Sequence, residues 1–316
     1  MDTRRTTPPG PLDPQLAAFN QARAAAAARL PDPYRSPLDI ARQAVEDAQV
    51  PLAAGGPRMH ASSDRWLVIP GRRIQVRLHL PTAAPKLPVL VFLHGGGWVW
   101  NSIDTHDRVA RETAARGGIA VVAPDYALAP EYPFPHALRE CVAVVRWLRA
   151  HGHEWGLDGS RIAIGGDSAG GNLALGTALA LRDAGEPLLR GALLNYAPLD
   201  PSLNTDSYRR FSAQQERMAW YWAQYLQATA RQPAPTAAPT RAELHGLPPL
   251  RIQVGELDAL IDENLALAER ARASGIDTEL TVYPGMTHAF LRAVGHVDMA
   301  ARALDEGAAW LRRVLA

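Results

Sequence analysis

Two rhythms of apolar residues run along this chain, and its parts are marked by the places where one gives way to the other. Residues 15–30 (QLAAFNQARAAAAARL) and 37–49 read as two helices, and the proline-bearing PDPYRSP between them breaks the pattern. From Trp66 the rhythm becomes that of strands: WLVIP, then IQVRLHL with period-two alternation, then the continuous apolar run PVLVFLH. Thereafter short apolar runs alternate with amphipathic stretches. GIAVVAPD, RIAIGG, GALLNYAP, PPLRIQVG and TELTVYP are the runs. The helical stretches are HALRECVAVVRWLRAHG, 169–183, 263–274 and 298–314. Runs of four to six apolar residues between helices predict strands buried on both faces, so the fold class is α/β, a mostly parallel central sheet with helices on both faces.

The alternation lapses near residue 200. There FSAQQERMAWYWAQYLQ forms a helical pattern with Met218, Trp222, Tyr225 and Leu226 on one face, followed by the Pro/Ala/Thr stretch RQPAPTAAPTRA. The predicted organisation is a helical cap segment at 1–60, a catalytic core at 61–199 and 241–316, and an inserted cap segment at 200–240. There is no internal repeat.

Composition narrows the class. At 316 residues with 47% apolar and 21% charged side chains, the chain can bury one substantial core, and disorder is expected only at its extreme start. A net charge of +1 with scattered Lys and Arg offers no phosphate-tracking stripe, so nucleic acid is not an expected partner. No apolar run approaches the ~18 residues of a membrane span, and no apolar segment follows the charges of MDTRRTTPPGPLDP; a cytoplasmic protein without a membrane partner is expected. The single cysteine, Cys141, sits in an apolar periodic stretch and reads as a small core residue.

Candidate chemistry centres on Gly166-Asp167-Ser168-Ala169-Gly170, directly after an apolar strand and directly before a helix. In that setting the serine occupies a sharp turn, and flanking side chains would strike the neighbouring strand and helix, which is why glycines stand there. Its hydroxyl is held out at the strand's C-terminal end, beside the amides that open the helix. A serine nucleophile needs a base, and the base needs an orienting acid. His288, in the loop YPGMTHAF after the last predicted strand, and Asp258, in RIQVGELDALID, complete the order Ser, Asp, His. Taken singly, His288 is an ordinary loop histidine and Asp258 a helix cap; their order with Ser168 favours a triad. Asp262 and Glu256 are rival acids, read as supports of the loop or helix start. His94-Gly95-Gly96-Gly97-Trp98 follows another apolar strand, and its bare amides, with that of Ala169, can serve as oxyanion donors. Asp167 is read as a local hydrogen-bonding residue. His151, His153 and Glu154 sit at a helix end and are read as surface polar residues, so no metal is expected. The stripe Trp220, Tyr221, Trp222, Tyr225 reads as cap packing, with part of it on the substrate cleft.

The motifs HGGGW at 94–98, YALAPEYPFP at 126–135, GGDSAGGNLA at 165–174, ELDALIDE at 256–263 and YPGMTHAF at 283–290 together resemble the bacterial hormone-sensitive-lipase-like esterases, from about Trp66 to Arg313. The resemblance implies an α/β-hydrolase fold with a helical cap and a carboxylic-ester hydrolase of short- to medium-chain esters that uses no cofactor. It implies Ser168, Asp258 and His288 as triad and Gly96, Gly97 and Ala169 as oxyanion donors. Three positions depart from the family pattern: Trp100 and Ala289 stand where glycine is usual, and Ala259 where proline is usual. Trp98, Trp100 and Trp222 are the expected pocket residues, with Trp100 reshaping the pocket. The expected partner is a small-molecule ester, with a homodimer left open. An amidase or arylformamidase on the same triad, or a non-catalytic binding protein on the same scaffold, are the alternative readings.

Overall fold

In the computed structural model, residues 10–229 and 231–316 are described; the expected disorder at the extreme start, as far as Pro9, lies outside the described residues. Eight strands form one sheet, β1 (Ala61–Ile69), β2 (Arg72–Leu80), β3 (Leu87–Leu93), β4 (Ala120–Pro124), β5 (Leu157–Asp167), β6 (Ala192–Asn195), β7 (Leu250–Leu257) and β8 (Thr278–Thr287). Their order is β1-β2-β4-β3-β5-β6-β7-β8, and only the β1/β2 and β2/β4 pairs are antiparallel.

The apolar runs divide between two faces, as period-two side chains must. Val89, Val91, Ile162 and Ile164 pack into one core beneath α4 (His136–His151), α5 (Ala169–Asp183) and α8 (Ile261–Ala273). Leu90, Phe92 and Ala163 point the other way, into a second core with α3 (Asp107–Gly117) and α9 (Asp298–Val314). Cys141 is fully buried in the first core, and burial pushes its thiol far above the usual range.

β1 begins five residues before the apolar run that announces it, because Ala61–Arg65 carries polar side chains yet pairs in register with β2 from Arg77 to Leu80 and beyond. Four further helices lie outside this sandwich: α1 (Pro14–Ala27), α2 (Leu38–Gln49), α6 (Asp206–Arg210) and α7 (Ser212–Leu226). Asp13 caps α1 by accepting from the N–H groups of Gln15 and Leu16, and proline follows at the first helical position, where no N–H is needed. Leu16 and Phe19 seat α1 against the core around Phe290 and Val297. Met218, Trp222, Tyr225 and Leu226 are the buried face of α7. Among the described residues no helix is long and apolar enough to cross a membrane.

Candidate active site

Strand ends deliver the predicted site residues. β5, β7 and β8 end at Asp167, Leu257 and Thr287, and the next residues are Ser168, Asp258 and His288. Ser168 has φ +53° and ψ −122°, a conformation rare for a side chain with a Cβ. Its N–H is held by the Asn195 carbonyl of β6 at 2.9 Å. The turn is possible because Gly170 passes so close to the β3 backbone that any Cβ there would strike the Leu93 carbonyl.

Ser168 Oγ lies 2.9 Å from His288 Nε2, and His288 Nδ1 lies 2.8 Å from Asp258 Oδ2. A carboxylate can only accept, so Nδ1–H donates to Asp258 and Nε2 is left to accept from the Ser168 hydroxyl. Asp258 is fully buried, and its other oxygen accepts from the Leu260 N–H at 3.0 Å, which fixes the carboxylate plane. Burial pulls the His288 imidazole down, but the charge and hydrogen bond of Asp258 outweigh it and hold the ring above its ordinary value. The rival acids are engaged elsewhere. Glu256 accepts from the N–H groups of Gly10 and Gly285, and Asp262 from that of Ser207.

Beside Ser168 the glycine loop leaves β3. Gly96 and Gly97 line the same cavity of about 420 Å³ as Ser168 and His288. Gly97 has φ +61°, and a Cβ there would enter the Tyr221 ring. Ala169 opens α5, whose first N–H groups have no partner within the helix. The loop is braced from below by Asp167, which accepts the Gly95 N–H at 3.0 Å and lies 3.3 Å from His106 Nε2. Although burial opposes its charge, His106 and Arg292 hold the Asp167 carboxyl below the ordinary range. On the outer side Tyr126 OH donates to the His94 carbonyl at 2.6 Å, and Asn101 donates to that of Gly95 at 3.1 Å.

The three tryptophans expected in the pocket need correction, because none of them lines the cavity. Trp98 is 1% exposed, stacked on Tyr225 at 4.3 Å and against Trp222 at 4.6 Å, so both face the core behind the loop. Trp100 is also buried; its ring stacks on Trp220, and its Nε1–H donates to Tyr221 OH at 3.1 Å. Tyr221 is the aromatic of the α7 stripe that reaches the cavity, and its hydroxyl bonds to that of Tyr34 at 2.7 Å. Met218, read in the sequence only as part of a helix face, lines it too, as do Gln214 and three arginines, Arg23, Arg217 and Arg292, which were not singled out in the sequence. Beside the aromatic stripe itself, Tyr34 in the proline-bearing break was a further available signal for that wall.

The other two departures have local causes. The Ala259 N–H donates to Gln214 Oε1 at 3.1 Å, a bond proline could not make. Ala289 sits at φ +62°, the left-handed region that glycine enters freely. His151 pairs with Glu154 on the surface at 2.9 Å, and among the described residues no group of three or more His, Cys, Asp or Glu is placed to hold a metal ion.

With this geometry in view, comparison with known proteins is direct: a profile of the alpha/beta hydrolase fold family matches residues 90–292. The chain belongs to that family, in its hormone-sensitive-lipase-like branch. The hydrolase is 38% identical over 252 residues to the carboxylesterase NlhH of Mycobacterium tuberculosis, covering 77% of this chain and 79% of that one. It is 31% identical over 310 residues to the ethyl acetate hydrolase of Pseudomonas putida, covering 94% and 96%. Among solved structures it is similar to the hyperthermophilic esterase of the archaeon Pyrobaculum calidifontis, with a TM-score of 0.89 and 31% identity over 96% of this chain and 99% of that one.

Proposed function

We propose that this enzyme hydrolyses short- to medium-chain carboxylic esters through an acyl-enzyme on Ser168. The observation that carries the reading is the hydrogen-bonded line Ser168–His288–Asp258, which opens into a cavity walled on one side by Gly96 and Gly97. Relatives named for carboxylesterase and ethyl acetate hydrolysis support the reaction class.

His288 Nε2 takes the Ser168 proton as Oγ attacks the ester carbonyl. The carbonyl oxygen becomes an oxyanion that receives the N–H groups of Gly96, Gly97 and Ala169, in a site where fixed dipoles need no reorganisation. Asp258 keeps the imidazole in the tautomer that can accept, and stabilises it when it becomes a cation. The cation then gives its proton to the departing alcohol. A water follows the same route: it loses a proton to His288, attacks the acyl carbon, and Ser168 leaves with the proton. Segments 1–60 and 200–240 act as the cap over this core of 61–199 and 241–316, and a cavity of about 420 Å³ suits acyl chains of modest length.

The test is Ser168→Ala, with turnover of p-nitrophenyl esters from acetyl to dodecanoyl and labelling by an organophosphonate. Turnover should fall by on the order of 10⁶ and labelling should vanish. Labelling that survives at another residue would sink the assignment.

A further inference from the structure

Many arginines of this chain are paired: Arg77 with Asp64, Arg111 with Asp107, Arg116 with Glu112, each at 2.9 Å or less. The three that line the catalytic cavity are different. Arg23 comes from α1, Arg217 from α7 and Arg292 from the turn after His288, so three separate segments bring guanidiniums to one space. Among the described residues, none of them forms an ion pair with a carboxylate. Arg292 is 6% exposed and gives hydrogen bonds only to the Thr105 carbonyl at 2.8 Å and toward the His106 ring at 3.4 Å, out of the five donors a guanidinium carries. Burial lowers Arg23, and burial lowers Arg292 to about 10, with Asp167 opposing the shift and Arg23 adding to it.

The acids of the cavity answer these charges only in part, Asp167 facing Arg292 electrostatically without a hydrogen bond between them. Among the described residues its only lining carboxylates are Asp167 and Asp258. Asp258 is committed to His288 and the Leu260 N–H, and Asp167 to the Gly95 N–H and His106. Three cations thus face two engaged carboxylates, and the cavity carries a positive excess. An ion brought there meets one buried guanidinium, Arg292, and the forks of the half-buried Arg23 and the exposed Arg217.

We propose that the ester substrates of this enzyme carry a carboxylate, held by Arg23, Arg217 and Arg292 while the ester carbonyl lies at Ser168. This rests on the ester-hydrolase reading above and adds the substrate class. A carboxylate is favoured because its two oxygens match the guanidinium fork.

Two isosteric pairs test it with the purified enzyme. Monoethyl succinate against ethyl 4-methylpentanoate places the charge on the acyl side. 3-Acetoxypropanoate against isopentyl acetate places it on the alcohol side. In at least one pair kcat/KM should favour the anion by about tenfold, and the preference should shrink at 1 M salt. Arg217→Gln, on the exposed face of α7, and Arg23→Gln should bring the anion-to-neutral ratio toward one; these two are chosen because Arg292 is buried and its loss could unfold the chain. Turnover of the neutral esters with no anionic preference in either pair overturns this inference and leaves the ester reading standing. A preference that survives both substitutions overturns it as well. Turnover of none of the four esters overturns both readings.

Discussion

On the sheet side of the cavity Ser168, Asp258 and His288 are each the first residue after a strand, and backbone groups fix the first two: the Asn195 carbonyl holds the Ser168 N–H, and the Leu260 N–H holds Asp258. On the helical side the wall is made of side chains reaching across from separate segments. Tyr221 is placed by hydrogen bonds to Tyr34 and Trp100, and Gln214 by the Ala259 N–H. The first side is buried and over-determined; Asp258 has no exposure at all. The second is half open, with Tyr34 41% exposed. Under the proposed function bond-making belongs to the sheet side and substrate choice to the helical side, since a wall built of side chains can change residue by residue without moving a strand end.

Damage to the sheet side should cost most. Asp258→Asn keeps the shape but lets His288 adopt the tautomer that cannot accept from Ser168, and kcat should fall about 10⁴-fold with little change in KM. Next comes Gly97→Ala, which forces a side chain into the Tyr221 ring at φ +61° and displaces an oxyanion donor; a loss of roughly 10²–10³ in kcat is expected, with the circular dichroism spectrum unchanged. The pH profile separates the two sides further. His288 must be neutral to act as base, and Asp258 raises it above 6.5, so kcat/KM should climb with pH through a midpoint above 6.5, about tenfold per unit below it. In Asp258→Asn the largest upward influences on His288 are gone, burial is opposed only by the charge of Asp167, and the midpoint should move down; an unmoved midpoint would remove Asp258 as its cause. The smallest effect is expected on the helical side. Tyr34→Phe removes one hydroxyl pair at a half-open wall and should lower kcat/KM by less than about tenfold, through KM and with the pH midpoint in place.

The sheet and the ends of its strands were readable because burial on both faces leaves continuous apolar runs, and because the turns after them demand special residues. PVLVFL, RIAIGG and PPLRIQVG are strands β3, β5 and β7, and the segments that follow them supply the glycine loop, Ser168 and Asp258. The start of β1 escaped notice since ASSDR has no apolar member larger than alanine; its pairing with β2 is what makes it a strand. α6 escaped because five residues are too few for a period of 3.6 to register. The helical wall was the least legible part. Trp98 and Trp222 were expected in the pocket, but Trp98 stacks on Tyr225 and packs against Trp222, which places both in the core. The residues that do face the cavity, among them Arg23 and Arg217, have sequence surroundings no different from other helical arginines, and only the cavity they share gives them meaning.

The Asp167–Gly95 bond joins the strand that carries the nucleophile to the loop that carries the amides, across the β3/β5 pairing. Reactivity at Ser168 is therefore a gauge of whether the middle of the sheet is intact. On gradual heating, phosphonate capture and tertiary structure should disappear together.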